Sequence, residues 1–101
     1  MKFQIVEKLI PTKFVVIDNI EFELLKLIGC LNQFLNKVDD NYCDYSFIDY
    51  ELEYFLETKY LVELGLLKNY RGYHMSNLFC IKNEEAYKTM KTLLKKLYKI
   101  R

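Results

Sequence analysis

The chain has 101 residues, 51% of them hydrophobic and 29% charged, with a net charge of +1. So short a chain buries one core, which leaves no room for a second domain. The ordinary charged fraction, with no Pro-, Gly- or Ser-rich block, argues against disorder and linkers, so residues 1–101 read as a single domain.

The opening "MKFQIVEKLIP" carries Glu7 and Lys8 inside its apolar run and has no small-residue cleavage site. It reads as neither a signal peptide nor a membrane anchor, and a soluble cytoplasmic protein with no membrane partner is expected. "KFQIVEKL" and "KFVVID" are rich in β-branched and aromatic residues and are separated by Pro11 and Thr12, as two strands or one bent strand would be. Asp18 or Asn19 can cap a helix to about Val38, since Ile20, Leu24, Leu27, Ile28, Leu31, Phe34, Leu35 and Val38 recur at helical spacing. Gly29 lowers its helix propensity but admits a close neighbour.

"VDDNYCDY" is a polar connection, and a second helical region is expected from about Ser46 to Leu64. Its apolar residues form two stripes, with Lys59 in the middle of one, which fits two short helices meeting at an angle. Asp49 or Thr58 can cap the second, and Gly65 stands where a left-handed residue closes a helix. "LLKNY", Arg71, Gly72 and "YHMSNLFCIK" then read as a hairpin with a glycine-bearing tip. The last segment is the clearest helix: Asn83 can cap it, Glu84 and Glu85 occupy its first turn, and lysines fill its end. Ala86, Met90, Leu93, Leu97 and Ile100 repeat at heptad spacing and Tyr87, Leu94 and Tyr98 widen the stripe. A stripe this wide predicts a homodimer through Met90, Leu93, Leu94 and Leu97.

The net charge hides a strong polarity. Residues 1–17 carry +2, residues 18–67 carry −8, and residues 68–101 carry +7. Such a chain has one face that attracts an anion and another that repels it, unless the signs merely separate among solvated helix faces.

In "LVELGLL", Leu61, Leu64, Gly65, Leu66 and Leu67 stand before a hairpin. This resembles the winged helix-turn-helix superfamily, whose recognition helix ends in a Leu-x-x-Leu-Gly-Leu pattern before the wing. The resemblance covers residues 46–81 and is loose in the first helix. It implies an α+β winged-helix fold with an N-terminal strand or hairpin and an added C-terminal helix, and it implies a partner, double-stranded DNA. Length, the composition of an AT-rich genome and the extra helix are similar to the small accessory proteins of clostridial conjugative plasmids, the TcpK type. That likeness implies a dimer that binds repeated boxes at an origin of transfer, the candidate repeats for this chain, and that works with relaxosome proteins.

One feature departs from the winged-helix pattern. The expected recognition helix carries Glu51, Glu53, Glu57 and Glu63, with Lys59 as its only base and its one candidate DNA contact. Against a duplex with about one negative charge per 1.7 Å of axis, such a helix is repelled. Recognition therefore passes to the wing. Arg71 can bond guanine or enter a narrow minor groove, Lys68 can pair with phosphate, Asn69 can read adenine, and Tyr70, Tyr73 and His74 can hydrogen-bond or stack. An ordinary exposed hairpin would also place Asn, Arg and Gly there.

Enzymatic chemistry has little to stand on. His74 is the only histidine, no Ser or Cys is placed for a triad, and Cys30, Cys43 and Cys80 show no metal-ligand spacing and read as small buried hydrophobes. Asp39 and Asp40 read as loop solvation, and with only three glycines no phosphate loop is present. No cofactor, no metal and no enzyme activity are expected. Two rivals to sequence-specific DNA binding at an origin of transfer remain. One is an acidic, DNA-mimicking protein-interaction module built on Glu51, Glu53, Glu57, Asp39 and Asp40; the other is a transcriptional repressor.

Overall fold

The structure is a computed structural model that describes residues 2–7, 13–38, 48–49, 52–69 and 78–100. It is α+β. Strands β1 (Phe3–Glu7), β2 (Lys13–Ile17) and β3 (Ile20–Glu23) form one antiparallel sheet with β2 in the middle. Val15 and Ile17 alternate inward along β2, and Phe22 lies opposite Val15, so one face of the sheet lines the core.

The β2–β3 connection corrects the expected start of the first helix. Asp18 (φ 48°) and Asn19 (φ 71°) both adopt the left-handed conformation, as the two central residues of a type I′ hairpin turn do. Ile17 pairs with Ile20 across them. Ile20 belongs to β3, where Ile20 and Phe22 alternate with Glu21 and Glu23, and its helical spacing from Leu24 is coincidental. The first helix, α1, runs from Leu24 to Leu35, so neither Asp18 nor Asn19 caps it. Beyond Leu35 the turn tightens, with Lys37 N–H donating to Phe34 O and Val38 N–H to Leu35 O.

The region expected to hold two helices holds one and a short strand among the described residues. Ile48–Asp49 is strand β4, paired with a strand thirty residues later, Leu52–Tyr54 is a single 3-10 turn, and α2 spans Phe55–Glu63. Asp49 is in β4 and Thr58 lies fully buried inside α2, so neither is its cap. The close of α2 is as expected. Gly65 (φ 79°) is left-handed, its N–H donates to Val62 O at 3.0 Å, and Leu66 N–H donates to Leu61 O at 3.0 Å, the paired bonds of a Schellman motif.

Strands β5 (Leu67–Asn69) and β6 (Leu78–Ile81) pair antiparallel, and β6 is the centre of a sheet ordered β4-β6-β5. Helix α3 (Glu84–Ile100) follows, capped by Asn83, whose Oδ1 accepts from Ala86 N–H at 2.8 Å. At its far end Lys13 Nζ donates to Ile100 O at 3.2 Å, placing a cation where the helix dipole favours one. One hydrophobic cluster joins β2, β3, all three helices, β5 and β6. At its edge the Phe22 and Tyr60 rings meet edge to face, 5.7 Å apart.

Candidate nucleic-acid interface

The β5–β6 hairpin leaves α2 through Gly65 and is tied back to the start of α3 by Lys82 N–H donating to Leu66 O. Alternation along β5 buries Leu67 and turns Lys68 to solvent, with Asn69 half-buried. Lys68 and Asn69 therefore stand on the last turn-facing residues of this strand. The other expected contacts, Tyr70, Arg71, Tyr73 and His74, lie outside the described residues.

On α2 one acidic side chain departs from the expected exposed face. Glu57, expected on the exposed acidic side, is only 7% exposed. It sits beside Thr58 near α1, where Cys30 Sγ and Thr58 Oγ1 are 3.6 Å apart. Burial pushes the Cys30 thiol up to about 12; the hydrogen bond with Thr58 pulls it down, and the negative charge of Glu57 raises it. The surface acids of this segment among the described residues are Glu53 and Glu63, while Glu51, Asp39 and Asp40 lie outside them.

Lys59, the helix's only base, is half-buried, with its ammonium 5.0 Å from the centroid of the Phe79 ring and 5.6 Å from that of Phe55. These cation–π contacts hold it against β6. Beside it α2 exposes Phe55 and Leu56. An exposed surface of two apolar side chains and two glutamates offers few donors to base edges.

Helix α3 corrects the expected dimer surface. Met90, Leu93 and Leu97 are buried in the chain's own core, which leaves them nothing to present to a second copy. Leu94 is half-buried and Tyr98 exposed, along a groove between α1 and α3 where Asn32 Nδ2 donates to the Tyr98 hydroxyl at 2.8 Å.

Opposite the buried stripe lies a ridge of lysines that extends well beyond the helix end where the sequence places them. Lys88, Lys91, Lys95 and Lys99 are spaced by three, four and four residues, which brings them within roughly 80° of the helix circumference. Lys96 flanks them. Lys88, Lys95, Lys96 and Lys99 are exposed, and Lys91 is half-buried with its ammonium 5.2 Å from the Tyr87 ring centroid. The signal was present as the polar complement of the apolar heptad.

Among the described residues no group of three or more His, Cys, Asp or Glu stands together to hold a metal ion, and no helix is long and apolar enough to cross a membrane. No protein-family model, curated protein or solved structure matches the chain.

Proposed function

We propose that this chain is a sequence-specific duplex-DNA-binding protein of the winged helix-turn-helix kind, reading DNA mainly from the β5–β6 hairpin. The observation that carries the reading is the junction at Gly65. An acidic helix ends there in a Schellman motif, and the chain passes directly into an antiparallel hairpin within a β4-β6-β5 sheet. Up to that junction the chain from residue 18 is acidic, and beyond it the chain is basic. The hairpin then meets phosphates while α2 stays clear of them.

The resemblance to conjugative accessory proteins extends the proposal to an origin of transfer on a mobile element, with relaxosome proteins as partners. It also includes a homodimer, whose contact on α3 narrows to Leu94 and Tyr98. Repression of a promoter uses the same chemistry on another site.

The test is anisotropy of a labelled duplex carrying the candidate repeats, read at several salt concentrations. Affinity is expected to fall linearly with salt on logarithmic axes. No binding at low salt, or binding indifferent to salt, contradicts the proposal.

A second reading rests on Phe55 and Leu56, exposed beside Glu53 and Glu63. That surface fits a protein partner with a basic, apolar groove. Capture of such a protein, lost in Leu56→Ala with Glu63→Gln while duplex binding stays absent, favours it over DNA.

A further inference from the structure

We infer that the lysine ridge of α3 is a second nucleic-acid surface, which grips the phosphate backbone without reading sequence. The inference rests on the duplex-binding reading above and adds an element to it. Five lysines occupy positions 88 to 99, and no acid follows Glu85 before the end of the chain. From Lys88 to Lys99 the ridge runs about 16 Å along the helix axis.

Helix electrostatics does not account for this pattern. The macrodipole acts within the first and last turns only, whereas Lys88 and Lys91 lie between them, where it gives a cation no preference. Ordinary solvated helices mix signs in pairs four residues apart. Within the sequence of α3 the one acid–base pair at that spacing is Glu84 and Lys88, 3.7 Å apart and largely exposed, which screens little of the ridge.

The chemistry selects the partner. Lysine is a flexible point charge suited to phosphate oxygens and carries no base-reading fork. A lipid surface would take the apolar face of an amphipathic helix, but Ala86, Met90, Leu93 and Leu97 are committed to the core. A protein interface would centre on aromatic or aliphatic anchors, and lysine is depleted from such centres. Lys88, Lys95 and Lys99 are instead exposed, with Thr92 beside them. A polyanion with regularly spaced charge is what remains, and duplex DNA supplies about one charge per 3.4 Å on each strand.

The experiment replaces Lys88, Lys91, Lys95 and Lys99 together by Gln and, in a second protein, by Arg. Each is titrated onto the candidate duplex and onto one of unrelated sequence, from about 50 mM salt upward. The Gln protein is expected to bind both more weakly and to lose about 3 to 4 from the salt slope, near 0.9 per phosphate contact. The Arg protein is expected to keep the wild-type slope. Circular dichroism checks that each is folded, and should the Gln protein fail to fold, a lost slope in the Arg protein overturns the inference by itself.

A folded Gln protein with the wild-type slope overturns the ridge and leaves the hairpin reading intact. Wild-type protein that binds neither duplex at about 50 mM salt ends both. Unchanged DNA binding together with lost adhesion to phosphatidylserine vesicles would assign the ridge to a membrane and overturn the inference.

Discussion

Gly29 of α1 and Tyr54 at the head of α2 meet so closely that a methyl group fits only if the Tyr54 ring moves: a Cβ built on Gly29 would lie 2.7 Å from Tyr54 Cζ. Glycine here serves a close approach between elements, at a cost in helix propensity. Alanine in a helix interior ordinarily gains about 1 kcal/mol over glycine. Gly29→Ala is expected instead to destabilise by about 1 to 2 kcal/mol, because the Tyr54 ring must leave its place. In a Tyr54→Ala background the same change should stabilise. Urea denaturation of the four proteins reads the reversal of sign, and a stabilising Gly29→Ala in the wild type would contradict the packing.

The Asp18–Asn19 turn gives a second prediction. Asn19→Gly should be neutral or slightly stabilising, and Asn19→Val should cost about 1 to 2 kcal/mol, since a branched side chain resists positive φ. Asp18 also accepts a hydrogen bond from Lys2 N–H and donates its own N–H to Lys2 O at 2.9 Å, tying the β1 end to this turn. Thermal melts compare the variants, and equal losses for Gly and Val would argue against the turn.

What was legible in the chain followed the range of the forces involved. Asn83 with Glu84 and Glu85 marks the start of α3 because a cap is a local bond, and Gly65 marks the end of α2 for the same reason. Ile20 was misleading because it satisfies both the helical and the strand period, and the left-handed pair before it decides for the strand. β4 escaped notice because two residues carry no period; pairing with Leu78 and Phe79 defines it. Glu57 escaped for a related reason. It is buried next to Thr58, which meets Cys30 of another helix, and no spacing within α2 announces that neighbourhood.

The core role of α3 replaces its expected dimer role in the mutational outcome. Leu97→Ala should cost about 2 to 5 kcal/mol, and Leu94→Ala, half-buried, should cost less. Leu93→Asp with Leu97→Asp should unfold the chain rather than yield a folded monomer. Denaturation followed by circular dichroism distinguishes these outcomes; a folded double-Asp protein would return the stripe to an interface.

Cys30 provides a pH signature. Its thiol is raised from 9.0 to about 12 in the fold. The folded state therefore holds the proton more tightly than the unfolded state does. The associated stability is fully present below the unfolded value and is lost as pH rises from about 9 towards 12, by up to about 1.4 kcal/mol per pH unit. Melting temperature between pH 8 and 10 should fall more steeply in the wild type than in Cys30→Ala, where the other titrating groups are shared. Parallel curves would show that the thiol is not the group responsible.

Lys59 separates the two ends of the proposed interface. Held over Phe55 and Phe79, it should contribute about 0.5 to 1 kcal/mol to stability, and Lys59→Ala should lose that while binding duplex normally. Arg71→Ala should instead cost about 1 to 3 kcal/mol on the specific site and relax its sequence preference, and Lys68→Ala should lower the salt slope by about 1 on every sequence. Normal binding by Arg71→Ala with none by Lys59→Ala would move recognition to α2.

The most direct test of the proposed division, a basic half that faces DNA and an acidic half that stays clear, is an amide shift map. Isotope-labelled protein is titrated with a short duplex carrying the candidate repeats, and the perturbed amides are placed on the fold. Shifts are expected at Lys68, Asn69 and the lysines of α3, with Glu53, Leu56 and Glu63 unmoved. Shifts concentrated on α2, with the hairpin and α3 silent, would contradict the account.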